Sequence, residues 1–469
     1  MDKKIPEIFW QKYIKILSKK EFERFQSSCL TSLRKSIRVN TLKTSVNDFK
    51  KKSKNLGWEL SPIPWCKEGF WIDREDRSKP LGKSYLHQAG HFYIQEASSM
   101  LPPEVLNPKK NEIILDMASA PGSKTIQISA IMKNTGIIIA NEPESSRIKA
   151  MASNIDRLGA ANVLITKKHG QVFSEYFPNF FDKVLLDAPC SGEGTIRKDS
   201  KALETWNDKR VESIANIQRV LISHAFKTLK PGGELVYSTC TLSPEENEDI
   251  IKNLLEEFPN NAEVIPLNYP PANSSLEKLP DFGLKGVLRI WPHLYDSEGF
   301  FVAKIKKRHL TEAGNFIDTR RDSPFSKLSK KNKNFLNKYF LESFGFILKE
   351  DQNFFERGGQ TFIRPENFES IASKIIIEKG GILFCERHKN DLKLTHEGAL
   401  YLTQNYDIKK GFIDLNEDEC KDYMEGRDIN REIAEKNTVF IKFNNVFLGI
   451  GKKVQKKIKN QLPRHFVIQ

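Results

Sequence analysis

The sequence is poor in cysteine and has no long apolar run, and each shortage excludes a class of protein. Its 469 residues include only six cysteines, at positions 29, 66, 190, 240, 385 and 420, with no CxxC pair among them. This spacing favours neither a zinc site nor a disulfide framework, so we expect no metal and free thiols in a reducing cytoplasm. No stretch approaches the roughly 18 apolar residues of a membrane span, and the N-terminus lacks a signal-peptide core.

Positive charge, in contrast, is in excess. The formal net charge is +14, with 39% hydrophobic and 29% charged residues. This balance is typical of a globular chain with material for several cores, and the length favours two to four domains. The positive excess suits a polyanionic partner such as nucleic acid, although general solubility explains it equally well.

The middle of the chain alternates between short apolar runs and helical patterns. The strand-like runs are EIILD (112–116), TGIIIANE (135–142), NVLIT (162–166), DKVLLDA (182–188), PGGELVYST (231–239) and GFFVAKI (299–305). Such alternation predicts βαβ units and a parallel sheet, hence an α/β fold. Ligands of these sheets bind at the carboxyl ends of the strands.

Features at four strand ends point to a site on that edge. The small-residue turn DMASAPGSKT (116–125) opens a helix, and Glu142 ends the second strand, where a carboxylate can accept hydrogen bonds from ribose hydroxyls. Together they indicate an adenosine-containing cofactor, with a plain turn and a helix-capping acid as the alternative. Cys190 and Cys240 follow the fourth and fifth strands in polar turns, which favours a functional role over a buried structural one. The other four cysteines lack this context, and we interpret them as structural.

Six ordered motifs resemble the signature set of the NOL1/NOP2/Sun family of RNA 5-cytosine methyltransferases. They are RVNTLK (38–43), GHFYIQEASSMLP (90–102), DMASAPGSKT (116–125), LLDAPCSGEGTIRKD (185–199), YSTCTLSPEENE (237–248) and RIWPHLYDSEGFF (289–301). The sequences at both ends extend the similarity to a bacterial branch that acts on the small ribosomal subunit. The resemblance implies a Rossmann-like class I methyltransferase core and S-adenosyl-L-methionine as cofactor.

The resemblance also implies residue roles. Cys240 is the nucleophile that adds to C6 of cytosine, and Cys190 helps to finish the reaction and release the product. Asp187 contacts the base near the cofactor, and Lys124 lies near the base O2. The implied cofactor-binding residues are Ala118, Ser119, Ala120, Pro121, Gly122, Ser123, Lys124, Glu142, His169 and Asp187.

Four further positions are less defined. His169 stands in HGQ where the family commonly has an acid in a DGR-like pattern, so it either contacts the adenosine or is an ordinary surface histidine. Arg38 and Asn40 either hold RNA backbone or brace the site. His293 in WPH is more typical of a packed histidine than of a catalyst.

We predict four domains from the resemblance and the composition. They are an N-terminal RNA-binding extension (1–105), the catalytic domain (106–307), a small mixed domain (308–380) and a PUA-like RNA-binding domain (381–469). The region 260–287 is interpreted as a surface loop, and the basic stretch 304–340 as an interdomain connection. A solvated surface helix is the alternative interpretation of KKVQKKIKN (452–460).

The predicted function is S-adenosyl-L-methionine-dependent methylation of cytosine C5 in 16S rRNA of the small ribosomal subunit. We expect a cytoplasmic monomer without a membrane partner. A tRNA or other RNA methyltransferase and a non-catalytic RNA-binding assembly factor are the alternatives. A DNA cytosine-5 methyltransferase is disfavoured, because the sequence has no ENV motif and a second cysteine follows the fifth strand.

Overall fold

The computed structural model describes most of the chain, and no helix in the described part is long and apolar enough to cross a membrane. The described residues are 5–267, 282–312, 325–350, 353–388, 391–434 and 438–468. Half of the predicted 260–287 loop and part of the basic connection therefore lie outside the described residues. Within the first of these regions, Ala262–Val264 is a short strand rather than loop.

The N-terminal part joins two helices to a small antiparallel sheet. Its strands are ordered β2-β3-β1-β4. The elements are α1 (Glu7–Ile16), α2 (Lys19–Leu30), β1 (Ser36–Val39), α3 (Val46–Asn55), β2 (Trp58–Ile63), β3 (Cys66–Arg74), α4 (Tyr85–Gln88) and β4 (Phe92–Ile94). Apolar side chains of α1 and α2 pack against Trp206 and Trp291 of the following part, so these two helices are fixed on the central domain.

The central part is a doubly wound sheet of nine strands, ordered β10-β12-β9-β8-β5-β6-β7-β16, with β11 beside β12. Its strands are β5 (Ile113–Asp116), β6 (Ile137–Asn141), β7 (Val163–Thr166), β8 (Phe181–Asp187), β9 (Leu229–Thr239), β10 (Ala262–Val264), β11 (Leu288–Ile290), β12 (Phe300–Lys307) and β16 (Lys379–Gly380). Its helices are α5 (Leu101–Leu106), α6 (Ser123–Met132), α7 (Ser145–Leu158), α8 (Phe173–Tyr176), α9 (Asp208–Thr228), α10 (Glu248–Glu257) and α11 (Pro292–Tyr295).

The five predicted strands from 112 to 239 are present and parallel, but the sixth prediction needs a correction. β12 pairs antiparallel with β9 and with β11. The chain passes from β11 to β12 through the four-residue helix α11, which is too short for the crossover that a parallel strand requires.

Alternating side chains of the central strands fill two cores, one on each face of the sheet. Ile138 of β6 belongs to one core, whereas its neighbours Ile137 and Ile139 belong to the other. All five residues of β6 are buried, which explains the continuous apolar run in the sequence. The carboxyl ends of the central strands are thus held in place by packing on both faces of the sheet.

Two smaller sheets follow. The first, β13-β14-β15-β17-β18, takes strands from both sides of the predicted boundary at residue 380, and the second is ordered β19-β20-β21-β22. The elements are β13 (Ser326–Lys327), α12 (Lys330–Phe344), β14 (Phe354–Arg357), β15 (Gln360–Ile363), α13 (Phe368–Ala372), β17 (Ile382–His388), β18 (Asp391–Leu394), α14 (His396–Asn405), β19 (Phe412–Asp414), α15 (Glu417–Met424), β20 (Thr438–Phe443), β21 (Val446–Val454) and β22 (Lys457–Asn460). The helical interpretation of KKVQKKIKN is wrong, since these residues form the hairpin of β21 and β22.

Candidate active site

The two cysteines that follow β8 and β9 lie side by side. Asp187 of β8 is in register with Ser238 of β9, so these parallel strands end at the same edge of the sheet. Cys190 and Cys240 extend from those ends as half-buried free thiols, and their Sγ atoms are 3.2 Å apart. The hydrogen bond with Cys240, followed by burial, raises the pKa of the Cys190 thiol well above its ordinary value. Cys190 is therefore a thiol that can donate its S–H to the Cys240 sulfur.

The other four cysteines are buried in apolar cores, as expected for structural thiols. The Cys66 sulfur also has polar neighbours, since it lies 3.6 Å from the Glu104 carboxylate and 3.8 Å from the Gln127 amide.

Close backbone contacts fix the loops that carry the two thiols. The N–H of Gly194 donates to the Cys240 carbonyl over 3.0 Å, and the N–H of Gly299 donates to the Gly194 carbonyl over 2.9 Å. A Cβ on Gly194 would lie only 2.7 Å from the Cys240 carbonyl oxygen, so only glycine permits this approach. On the Cys190 side, the buried carboxyl of Glu246 accepts hydrogen bonds from the N–H and the hydroxyl of Ser191.

A buried ion pair stands beside the thiols. The Lys124 ammonium donates to Asp187 Oδ2 over 2.6 Å and to the Ser99 hydroxyl over 3.1 Å. Asp187 Oδ1 accepts from the Ser238 hydroxyl over 2.7 Å. Burial lowers the pKa of Lys124, but the charges of Asp187 and Cys240 outweigh it, so the pKa lies above its ordinary value. The positive charge of Lys124 is therefore retained within the electrostatic reach of Cys240.

The small-residue turn after β5 is held against the end of β6. The N–H and the hydroxyl of Ser119 each lie 2.9 Å from the Asn141 carbonyl to which they donate. Gly122 has φ +97° and precedes α6, and its Cβ would lie 3.2 Å from Met151 Cγ. Backbone N–H groups at the start of α6 thus face an edge to which a ligand can come close. The turn comprises Ala118, Ser119, Ala120, Pro121, Gly122 and Ser123.

Three polar side chains near this turn have the chemistry that an adenosine-containing cofactor requires. Glu142 is buried at the end of β6, where its carboxylate accepts from the Glu144 N–H and pairs with the half-exposed Arg147 over 3.0 Å. Asp116 at the end of β5 keeps Oδ1 buried without a hydrogen-bond partner among the described residues. His169 is exposed after β7. The Glu142 carboxylate and the unpaired Asp116 oxygen can accept from the hydroxyl and amino donors of a nucleoside, whereas N–H groups at the start of α6 can donate to an acceptor such as a carboxylate.

Residues outside the catalytic edge have structural partners. Arg38 is buried and donates to Gln95 Oε1, and Asn40 donates to the Gly90 and Leu158 carbonyls, so both brace the site rather than reach RNA. His293 is packed against Phe25 and lies 2.9 Å from Glu21, as expected for a packed histidine.

Sequence reasoning did not identify Ser99, Ser238, Asp116 or Glu246. All four lie within the six motifs, with Ser99 in GHFYIQEASSMLP, Asp116 in DMASAPGSKT, and Ser238 and Glu246 in YSTCTLSPEENE.

Comparison with known proteins finds relatives over nearly the whole length of the chain. Residues 103–306 match the 16S rRNA methyltransferase RsmB/F family, 5–97 match the N-terminal domain of 16S rRNA methyltransferase RsmF, and 410–468 match the methyltransferase RsmF PUA domain. The chain is 41% identical over 474 residues to ribosomal RNA small subunit methyltransferase F of Vibrio parahaemolyticus, covering 99% of this chain and 98% of the relative. The Shewanella piezotolerans protein of that name is 42% identical, with coverages of 95% and 93%.

The chain belongs to the RsmB/F methyltransferase family.

Two solved structures share the fold of this RsmB/F chain. A methyltransferase homologue from Pyrococcus horikoshii is 36% identical with a TM-score of 0.57, and the match covers 65% of this chain and 96% of that one. NSun6 from the same organism, solved with SFG, is 26% identical with a TM-score of 0.57 and coverages of 64% and 98%. The predictions of the family, the class I methyltransferase fold, an RNA methyltransferase and S-adenosyl-L-methionine as cofactor are thereby confirmed.

Proposed function

We propose that the protein methylates C5 of a cytosine in 16S rRNA of the small ribosomal subunit, through a covalent bond between Cys240 and C6. The observation that carries this proposal is the pair of free thiols 3.2 Å apart beside the Lys124–Asp187 ion pair. The names of the full-length relatives support the rRNA substrate, and the RsmF PUA match supports RNA binding. A target base must leave its stack to reach Cys240.

A thiol is needed because C5 of cytosine is a poor nucleophile. Addition of the Cys240 thiolate to C6 makes C5 enamine-like, and N3 takes up a proton in the same step. S-adenosyl-L-methionine supplies the methyl group that C5 accepts. Loss of the C5 proton to a base then expels the Cys240 thiolate, and return of the N3 proton to the Lys124–Asp187 pair restores the neutral aromatic base.

Lys124 and Asp187 prepare both partners of the first step. A free thiol is only a few per cent ionised at neutral pH, so Cys240 needs a neighbour that favours its thiolate form. The buried ammonium of Lys124 provides this stabilisation. In this proposal the Asp187 carboxylate faces the base while it accepts an N–H of the Lys124 ammonium across 2.6 Å. That proton is available to cytosine N3 as the thiolate adds, which keeps the ring neutral.

Cys190 acts when the product leaves. Its S–H donates to the Cys240 sulfur and stabilises the thiolate as a leaving group. Without that hydrogen bond the methylated adduct breaks down more slowly. Cys190 is thus assigned to product release and Cys240 to attack.

The cofactor lies across the ends of β5 and β6 in this proposal. The turn 118–124 contacts the methionine part and Glu142 accepts from the ribose hydroxyls once Arg147 turns outward. Asp187 borders the transferred group, and His169 stacks on or hydrogen-bonds the adenine. We further infer a cytoplasmic monomer, because all these groups come from one chain whose six cysteines are free.

Bisulfite mapping of 16S rRNA from cells with and without the protein tests the reaction. We expect one cytosine to lose protection, and Cys240→Ala to behave like the deletion. Cys190→Ala should accumulate protein covalently attached to RNA. If cells without the protein keep full protection in 16S rRNA but lose it in tRNA, the substrate is tRNA and not 16S rRNA. If Cys240→Ala still methylates the RNA, the proposed covalent mechanism is wrong.

A further inference from the structure

A cleft of about 390 Å³ opens beside the active site, between the N-terminal sheet and the loop that follows Cys190. Its walls are formed by Ser32, Leu33, Arg34, Lys35, Ser36, Ile94, Gln95, Glu96, Arg197 and Lys198. We call it the interdomain cleft. None of these residues takes part in the chemistry proposed above.

The interdomain cleft connects directly to the catalytic groups. Gln95 donates to the Ser99 carbonyl over 3.1 Å, and the Ser99 hydroxyl is the group that accepts from Lys124. On the opposite wall, Arg197 lies three residues beyond Gly194, whose N–H holds the Cys240 carbonyl. Any strand that delivers a base to Cys240 through this opening must pass these walls.

Among the residues that line the interdomain cleft, not every cation is paired with a carboxylate. Arg34 is paired with Asp73 over 3.2 Å, and Arg197 with Asp296 over 2.7 Å. The single lining carboxylate, Glu96, accepts from backbone N–H groups of Ser98, Ser99 and Glu298, which occupy its oxygens. Lys35 and Lys198 are exposed, and neither has an ion-pair partner in the described part of the chain.

Apolar surface lies next to these two free ammonium groups. Ile94 is 40% exposed at the end of β4, and the half-buried Leu33 stands close to it in the wall. Single-stranded nucleic acids bind to surfaces that combine unpaired cations with an apolar area. The phosphates contact the lysines, and the face of a base packs on the apolar surface.

We infer that the interdomain cleft binds the single-stranded RNA that flanks the target cytosine, with Lys35 and Lys198 each holding a backbone phosphate from opposite walls. This inference rests on the proposed function, because it takes the substrate to be RNA with an unstacked base. Phosphate contacts fix position without reading sequence, so the cleft sets the register of the strand.

The test is the salt dependence of RNA binding by the full-length double variant Lys35→Ala/Lys198→Ala. The probe is a cytosine-containing single-stranded RNA oligonucleotide. Each phosphate contact to a single strand contributes about 0.7 to the slope of log affinity against log salt, so the slope should fall by about 1.4. With undermethylated small subunits as substrate, KM should rise roughly tenfold while kcat is retained, because the catalytic groups are untouched.

The matched control is Lys109→Ala/Lys110→Ala, which removes the same charge from exposed lysines before β5, at the opposite edge of the sheet. An unchanged slope in the cleft variant, or an equal fall in both double variants, would overturn the inference. Failure of this inference can be distinguished from failure of the proposed function, since Cys240 adduct formation at saturating RNA should be normal in both variants.

Discussion

The buried carboxyl of Asp116 should make the stability of the catalytic domain depend on pH, and one substitution isolates the effect. Asp116 is 1% exposed at the end of β5. The Thr125 hydroxyl donates to its Oδ2 over 2.6 Å, but Oδ1 has no partner among the described residues. Burial, with a smaller contribution from the charge of Asp187, raises the pKa of Asp116 to about 7.

The sign follows from comparing the folded and unfolded chains. The pKa of an aspartate in an unfolded chain is about 3.9, so the folded state binds this proton more tightly. The stability that the proton supplies is complete below about pH 3.9 and is lost as pH rises through about 7. A difference of about three pKa units corresponds to about 4 kcal/mol in the free energy of unfolding.

The Asp116→Asn variant keeps the shape of the protonated carboxyl but cannot ionise. Relative to the wild type, it should therefore gain up to about 4 kcal/mol between about pH 4 and about pH 8. For a domain of this size, the difference in Tm between Asp116→Asn and the wild type should widen by roughly 10 °C over this pH range. The measurement is thermal unfolding of the full chain without cofactor. Comparison at equal pH cancels the other titrating groups.

A second variant checks the cause. Thr125→Val removes the hydroxyl that stabilises the Asp116 carboxylate, so it should shift the loss of stability to still higher pH. A Tm difference between Asp116→Asn and the wild type that stays constant across this range would refute the reasoning.

Other predictions test the cofactor site, the thiol loop and a buried ion pair. Glu142→Ala should weaken S-adenosyl-L-methionine binding by about 10- to 100-fold in calorimetry, as loss of charged hydrogen bonds predicts, and an unchanged affinity would remove Glu142 from the site. His169→Ala should weaken it by only about threefold, because His169 is exposed. Gly194→Ala should lower kcat more than about tenfold by displacing Cys240, whereas Gly82→Ala, whose added Cβ meets no atom within 4 Å, should leave kcat intact. Arg289→Met strands the buried Glu248 carboxylate and should cost about 3–5 kcal/mol in unfolding, whereas a loss below about 1 kcal/mol would show that Glu248 finds another partner.

The meeting of the two cysteines was predictable from local pattern plus one topological rule. The runs before Cys190 and Cys240 have strand character, and parallel strands carry their carboxyl ends to one edge of the sheet. Local pattern does not say which strands are neighbours. That pairing is seen only in the structure, where the register of β8 with β9 brings the thiols together.

Strand β16 and the β21–β22 hairpin show where residue pattern fails. Lys379–Gly380 adds an edge strand to a sheet whose other strands lie at least 70 residues earlier, and nothing in two residues indicates it. The lysine-rich KKVQKKIKN has no glycine or proline and suits a helix. Its turn instead passes through Gln455 with φ +54°, because pairing with β21 outweighs local preference.

The environments of three acids at this site could not be predicted from the sequence. Asp116, Asp187 and Glu246 all stand at or just beyond strand ends on the ligand edge, so in the sequence they look alike. In the fold, Asp187 is paired with Lys124, Glu246 accepts from Ser191, and Asp116 retains an unpaired oxygen. The donors for Asp187 and Glu246 lie more than 50 residues away in the chain. Which carboxyl is ionised, and hence which can share a proton with the base, is therefore decided by tertiary contacts and not by the motif in which the acid occurs.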